Sequence, residues 1–206
     1  MKNNFLFLAI VLFIVPACKW KNTKSALRHG EALKSSIESF EKNRQKLSAK
    51  LVTSLEDAQT ELTSEKPDLV EVSKDFEKEW TSIQGRYGDL KKDFDRVGTS
   101  STDFFAKLDE LSGSIQKESL RDQELAKNQE LRVKWDKSYQ EASVSIDKVT
   151  QVLEAGNDFH MVLVASSIRQ KLEQNVGELN VIADQAKALL GDLEAFTQAG
   201  RELVEG

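Results

Sequence analysis

Long, uninterrupted runs of helical periodicity constrain this chain more than any other feature. Between residues 69 and 97, apolar side chains recur at steps of three or four residues, which is the spacing of one face of an α-helix. The members of this run are Leu69, Val72, Phe76, Trp80, Ile83, Tyr87, Leu90, Phe94 and Val97. Steps this regular are typical of the seam of a coiled-coil-like bundle. The chain is therefore predicted to consist of long helices packed side by side.

The same period divides the rest of the chain into further helices joined by short breaks. Pro67 and Asp68 suit the first turn of the second helix, and that helix is predicted to continue through Gly98. Four long helices with short connections must alternate in direction. The predicted fold is an all-α, elongated, antiparallel four-helix bundle in a single domain, residues 25–206. The helices are predicted at about residues 25–62, 69–112, 118–153 and 159–204.

The sharpest of the predicted turns lies at residues 155–158. Gly156 suits the C-terminal cap of the third helix, and Asn157 or Asp158 suits the N-cap of the fourth. The apolar pattern also predicts core positions toward the end of the second helix and in the first part of the third. These are Phe104, Leu108, Leu111, Ile115, Leu120 and Leu131.

Composition and charge exclude several classes of function. With 31% charged residues and a net charge of −5, the chain lacks the basic excess that nucleic-acid binding requires. Its two histidines, His29 and His160, fall in no metal-binding or catalytic motif. A single cysteine excludes an internal disulfide and a cysteine-rich zinc site. We therefore expect no enzymatic activity and no cofactor.

The first 18 residues have the pattern of a cleaved targeting signal. Lys2 precedes eleven apolar residues, 5–15, which is too few to span a bilayer and typical of a signal peptide. The run ends in Val15-Pro16-Ala17-Cys18, which resembles the lipobox of bacterial lipoproteins. This resemblance implies cleavage after residue 17 and a diacylglyceryl group, with fatty acids such as palmitate, on Cys18. The alternative is an ordinary secretory signal that leaves a free thiol.

Lipidation of Cys18 would anchor the chain to a membrane, because two or three acyl chains hold a protein stably where one does not. Residues 18–24 are then expected to form a lipidated tether, in which three lysines surround Trp20. Such a composition suits an anionic headgroup layer. Lys19, rather than an aspartate, follows the cysteine, which resembles the sorting state for the outer membrane in Gram-negative bacteria. The expected location is the bacterial cell envelope, on the outer membrane facing the periplasm if the source is Gram-negative.

The body of the chain also carries a family resemblance. The stretch Leu131-Arg-Val-Lys-Trp-Asp-Lys-Ser-Tyr139 is similar to an uncharacterised family of bacterial helical envelope proteins. The likeness covers about residues 68–200, and since that family has no assigned activity it implies only a helical fold and an envelope location. Further matching positions are Ala142, Val152-Leu153, Asp158, Val162-Leu163 and residues 192–196.

Two functional hypotheses follow from these patterns. In the first, the chain is a non-enzymatic lipoprotein that serves as a structural or protein-binding module, with an envelope protein as its partner. In the second, it is a carrier whose bundle holds an apolar ligand or lipid in its core. A continuously packed core favours the first hypothesis, and an internal cavity of several hundred cubic ångströms favours the second.

Overall fold

A computed structural model describes residues 18–169 and 176–205, with side chains from residue 27. Four helices occupy these residues: α1 (Cys18–Leu62), α2 (Leu69–Gly113), α3 (Glu118–Arg169) and α4 (Val176–Glu205). No strand occurs in this part of the chain, so the all-α prediction is confirmed. The predicted signal, residues 1–17, lies outside the described residues, and α1 already includes residues 18–24.

The four helices pack as a closed ring around one core. Each helix contacts two neighbours, in the order α1, α2, α3, α4 and back to α1, and no diagonal pair is in backbone contact. Because residues 63–68 and 114–117 are short connections, successive helices run in opposite directions. At 1.5 Å per residue, the 45 residues of α1 or α2 extend for about 68 Å.

The second helix forms as its periodicity predicts. Eight of the nine predicted seam residues are buried, and Tyr87, the ninth, packs partly buried against the core. The Tyr87 hydroxyl donates a hydrogen bond to the Ile146 carbonyl of α3 at 2.9 Å. Asp68 caps the start of the helix by accepting bonds from the backbone N–H groups of Val70 and Glu71, both at 3.1 Å. The helix continues unbroken through Gly98, as predicted.

The predicted reversal at residues 155–158 is wrong, because α3 runs straight through it to Arg169. Gly156 lies buried inside α3 where it faces α2, and an added Cβ would overlap Trp80 Cζ2. Trp80 also donates from Nε1 to the Leu153 carbonyl at 3.1 Å. The glycine therefore makes room for an indole between two helices rather than ending one of them. The helix break falls after Arg169, which places Phe159 in α3.

The predicted core is incomplete at one end of the bundle. Helix α4 ends near Lys34 of α1, to which Glu205 is paired at 3.0 Å. Helix α1 begins 16 residues before Lys34, at Cys18, which is about 24 Å along the helix axis. We call this part the three-helix end, formed by residues 18–31, 104–113, the turn 114–117 and residues 118–131.

No hydrophobic side chain of the three-helix end other than Phe105 is fully buried among the described residues. Leu120 and Leu131 were predicted as core but are 47% and 40% exposed. The other predicted core residues here are only partly buried: Phe104, Leu108, Leu111 and Ile115. They have the pattern of a core, and Phe104, Leu108 and Leu111 line one cleft together with Val204 of α4.

The role of Gly156 is tested by adding a single methyl group. Gly156→Ala should lower the free energy of unfolding by about 1–3 kcal/mol, because the methyl overpacks the Trp80 contact. Gly191→Ala in α4 is the matched control, since nothing lies within 4 Å of its Cβ position. That change should stabilise the helix by up to about 1 kcal/mol. Urea unfolding measures both, and equal stabilisation by the two alanines would contradict the close approach.

Candidate functional site

Five aromatic rings, with at least one from every helix, meet in the middle of the bundle. Phe196 of α4 lies at the centre of this aromatic layer, and its ring centroid is 5.4 Å from Phe40, 5.5 Å from Phe94 and 5.2 Å from Trp135. Tyr139 completes the layer by stacking on Phe94 at 4.5 Å. Rings at these separations fill the interior, so this level of the bundle holds side chains where a carrier would need a cavity.

A buried ion pair lies one turn from the aromatic layer, between α1 and α4. Arg44 donates to both carboxylate oxygens of Glu41, from Nε at 2.7 Å and from Nη2 at 2.8 Å. It also donates from Nη1 to the Leu190 carbonyl of α4 at 3.0 Å. Thr197 and Gln45 donate to the remaining sides of the Glu41 carboxylate at 3.0 Å and 2.6 Å. The side chains of Arg44 and Glu41 are only 8% and 10% exposed.

The charges of this pair are held in place by its hydrogen bonds. Burial disfavours the charged carboxylate, but the bonds and the charge of Arg44 outweigh it and lower the pKa of Glu41. The bonds from Arg44 to Glu41 in turn raise the pKa of the arginine above its already high value. A carboxylate that accepts four hydrogen bonds has no free position for substrate or proton transfer. Its role is therefore to join α4 to α1.

A second buried carboxylate lies in a stretch where acidic and basic residues alternate. The charges around residues 89–96 read as a solvated helix face, yet Asp93 is buried against α1. Its oxygens accept hydrogen bonds from Ser39 at 2.9 Å, Asn43 at 2.6 Å and Arg96 at 2.6 Å. The sequence signal that could have revealed it is its position beside Phe94, together with Ser39 and Asn43 at i, i+4 on α1.

The two histidines lie on different helices, His29 on α1 and His160 on α3. His160 is partly buried, and its ring is stacked 6.4 Å from Phe76. His29 is partly buried near the start of α1. Among the described side chains, no group of three or more His, Cys, Asp and Glu residues could hold a metal ion.

Recesses on the surface of the bundle are clefts between helices. One of about 430 Å³ lies between α3 and α4 over Ala142 and Phe196, and exposed charged groups such as Lys148 and Asp192 flank it. Another of about 390 Å³ lies at the three-helix end and has a mostly apolar lining. Its lining residues are Leu27, Gly30, Glu31, Lys34, Phe104, Leu108, Leu111 and Val204.

Cys18, the predicted lipidation site, is the first described residue of α1. Since α1 and α2 are antiparallel, Cys18 belongs to the same end of the bundle as the turn at 114–117. Within residues 18–169 and 176–205, no helix combines the length and apolar character that crossing a bilayer requires.

Comparison with known proteins gives no relative. No family model, curated protein or solved structure matches this chain.

The Glu41–Arg44 pair is tested by removing one partner and then both. Arg44→Met should lower the free energy of unfolding by about 1–3 kcal/mol, because it leaves Glu41 buried without its cation. The double variant Glu41→Leu/Arg44→Met should recover much of that loss, since apolar replacements of both partners leave no unpaired charge. Lys92→Met, in an exposed pair with Asp89, is the control and should change stability by less than about 0.5 kcal/mol. A double variant no more stable than Arg44→Met in urea would contradict this interpretation.

Proposed function

We propose that this chain is a non-enzymatic lipoprotein of the bacterial cell envelope that serves as a structural or protein-binding helical module. The observation that carries the proposal is Cys18, the only cysteine of the sequence, which follows an eleven-residue apolar run after Pro16 and Ala17. A thioether-linked diacylglyceryl group there would hold the bundle at a membrane surface. In a Gram-negative source, Lys19 favours the outer membrane, with the bundle in the periplasm.

The interior of the bundle supports a structural role better than a carrier role. The aromatic layer and the Glu41–Arg44 pair fill the middle of the bundle, where a carrier would need space for a ligand. The four-helix ring presents long, charged outer faces, which suit contact with another envelope protein.

A carrier of an apolar ligand or lipid is the second candidate, and one observation favours it. The mostly apolar cleft at the three-helix end, of about 390 Å³, falls within the size range of ligand pockets, about 300–1,000 Å³. It is an open cleft at one end rather than a cavity in the core, so we favour the first function.

Anchorage is tested by replacing the cysteine. Cys18→Ser should abolish incorporation of an alkyne-tagged fatty acid and release the chain from membranes, because serine cannot form the thioether. The control Cys18→Ser/Ser35→Cys restores a thiol at an exposed position of α1 and should behave like the single variant. A Cys18→Ser chain that still pellets with membranes, with its signal processed as in the parent, would contradict the proposal.

A further inference from the structure

A polar recess opens between α2 and α3, beside the aromatic layer. Its volume is about 410 Å³, and Trp135 and Tyr139 of the aromatic layer line its α3 wall. Asp95 of α2 and Asp136 of α3 also line it. This volume falls within the range of small-molecule sites, about 300–1,000 Å³. The recess is therefore large enough for a small ligand, and the chemistry of its lining determines which kind.

Each wall of the recess contributes one carboxylate that lacks a cation. Asp95 and Asp136 form no ion pair or side-chain hydrogen bond with any residue that the structure describes. The basic residues that directly follow them in the chain, Arg96 and Lys137, pair with other carboxylates. Two negative charges that share one recess are complementary to a positively charged ligand.

The hydroxyl groups of the α2 wall can only accept hydrogen bonds from a ligand. A hydroxyl has one hydrogen, and each of these has already donated it to a backbone carbonyl of α2. Thr99 donates to the Asp95 carbonyl at 3.1 Å. Ser101 and Thr102 both donate to the Gly98 carbonyl at 2.9 Å. A ligand with N–H donors therefore fits this wall better than a quaternary ammonium group, which has none.

The α3 wall instead carries two hydrogen-bond donors without an acceptor. Trp135 is only 4% exposed, yet its indole N–H finds no acceptor within the described part of the chain. A buried tryptophan N–H usually has a partner. The Tyr139 hydroxyl, next to Gly98, is also without a printed-sequence partner in residues 27–169, and burial and the charge of Asp95 raise its pKa, so it keeps its hydrogen. This wall suits a ligand that offers an oxygen acceptor.

We propose that this recess binds a small primary ammonium compound that carries an oxygen acceptor close to its nitrogen, of which an amino alcohol is the simplest kind. The ammonium group donates to Asp95 and Asp136, and the oxygen of the ligand accepts a hydrogen bond from Trp135. A cation within about 6 Å of an aromatic ring is also attracted by the face of that ring. The inference goes beyond the proposed function and does not depend on a lipid at Cys18.

Binding is tested by NMR on the full protein in a neutral detergent, with three probes of similar size. Ethanolamine has both the ammonium group and the oxygen, propylammonium lacks the oxygen, and ethylene glycol lacks the charge. The readout is the indole N–H signal of Trp135, which shifts when this group gains an acceptor. Trp80 is the internal control, because its indole N–H already donates to the Leu153 carbonyl at 3.1 Å.

Ethanolamine should shift the Trp135 signal saturably and leave the Trp80 signal unchanged. The affinity should lie in the millimolar range, because a ligand with so few atoms makes few contacts. Propylammonium should bind several-fold more weakly, and ethylene glycol should give no saturable shift. Equal shifts with ethanolamine and ethylene glycol, or signals of Trp135 and Trp80 that move together, would overturn the proposal.

The two carboxylates are tested one at a time with the same probe. Asp95→Asn and Asp136→Asn should each raise the Kd for ethanolamine about two- to fivefold, which is the range for an exposed ion pair. Asp184→Asn removes an exposed carboxylate of α4 and is the matched control, which should leave the Kd unchanged. An unchanged Kd in both recess variants would overturn the assignment. Displacement of ethanolamine by a lower concentration of Ca²⁺ would also overturn it, because the recess would then prefer a metal ion.

Discussion

The aromatic layer around Phe196 is the interaction on which the rest of the bundle depends. It joins all four helices at one level, including the diagonal pair α2 and α4, through the 5.5 Å approach of Phe94 to Phe196. Aromatic pairs of this kind contribute roughly 0.5–1.5 kcal/mol beyond the area they bury. Gly98 belongs to the same arrangement, since its missing side chain admits the Tyr139 ring. The layer therefore determines how closely the helices approach.

Buried polar groups fix the register of the helices. A core held by apolar side chains alone could accept neighbouring helices in more than one register. Glu41 and Arg44 bind Leu190 and Thr197 of α4, so α4 can pack on α1 in one register without leaving charges unpaired. Asp93 does the same between α2 and α1 through Ser39 and Asn43. Since an unsatisfied buried charge is costly, shifting either helix by one turn would be unfavourable.

The sequence was sufficient to predict an all-helical fold and most of the core. Large apolar residues at steps of three and four indicate one buried face of an α-helix. The sequence was insufficient to predict the role of Gly156. A glycine can end a helix or make room for a side chain of a neighbouring helix, and only the position of Trp80 in the structure distinguishes the two. The same holds for Leu120 and Leu131, whose exposure depends on how the neighbouring helices face them. The burial of Glu41 and Arg44 was missed because charged residues usually read as surface.

The bundle is thus filled in its middle, where the aromatic layer and the buried ion pair lie. If the proposed function holds, a protein partner would contact the outer faces of the helices rather than the interior.

Amide hydrogen exchange, measured residue by residue, tests the central place of the aromatic layer most directly. Exchange reports how often each segment opens, and segments with few buried contacts open most readily. We expect the slowest exchange in the helical turns around Phe94 and Phe196, and faster exchange over residues 104–125, where few side chains are buried. Protection over residues 104–125 equal to that around Phe94 and Phe196 would contradict the account.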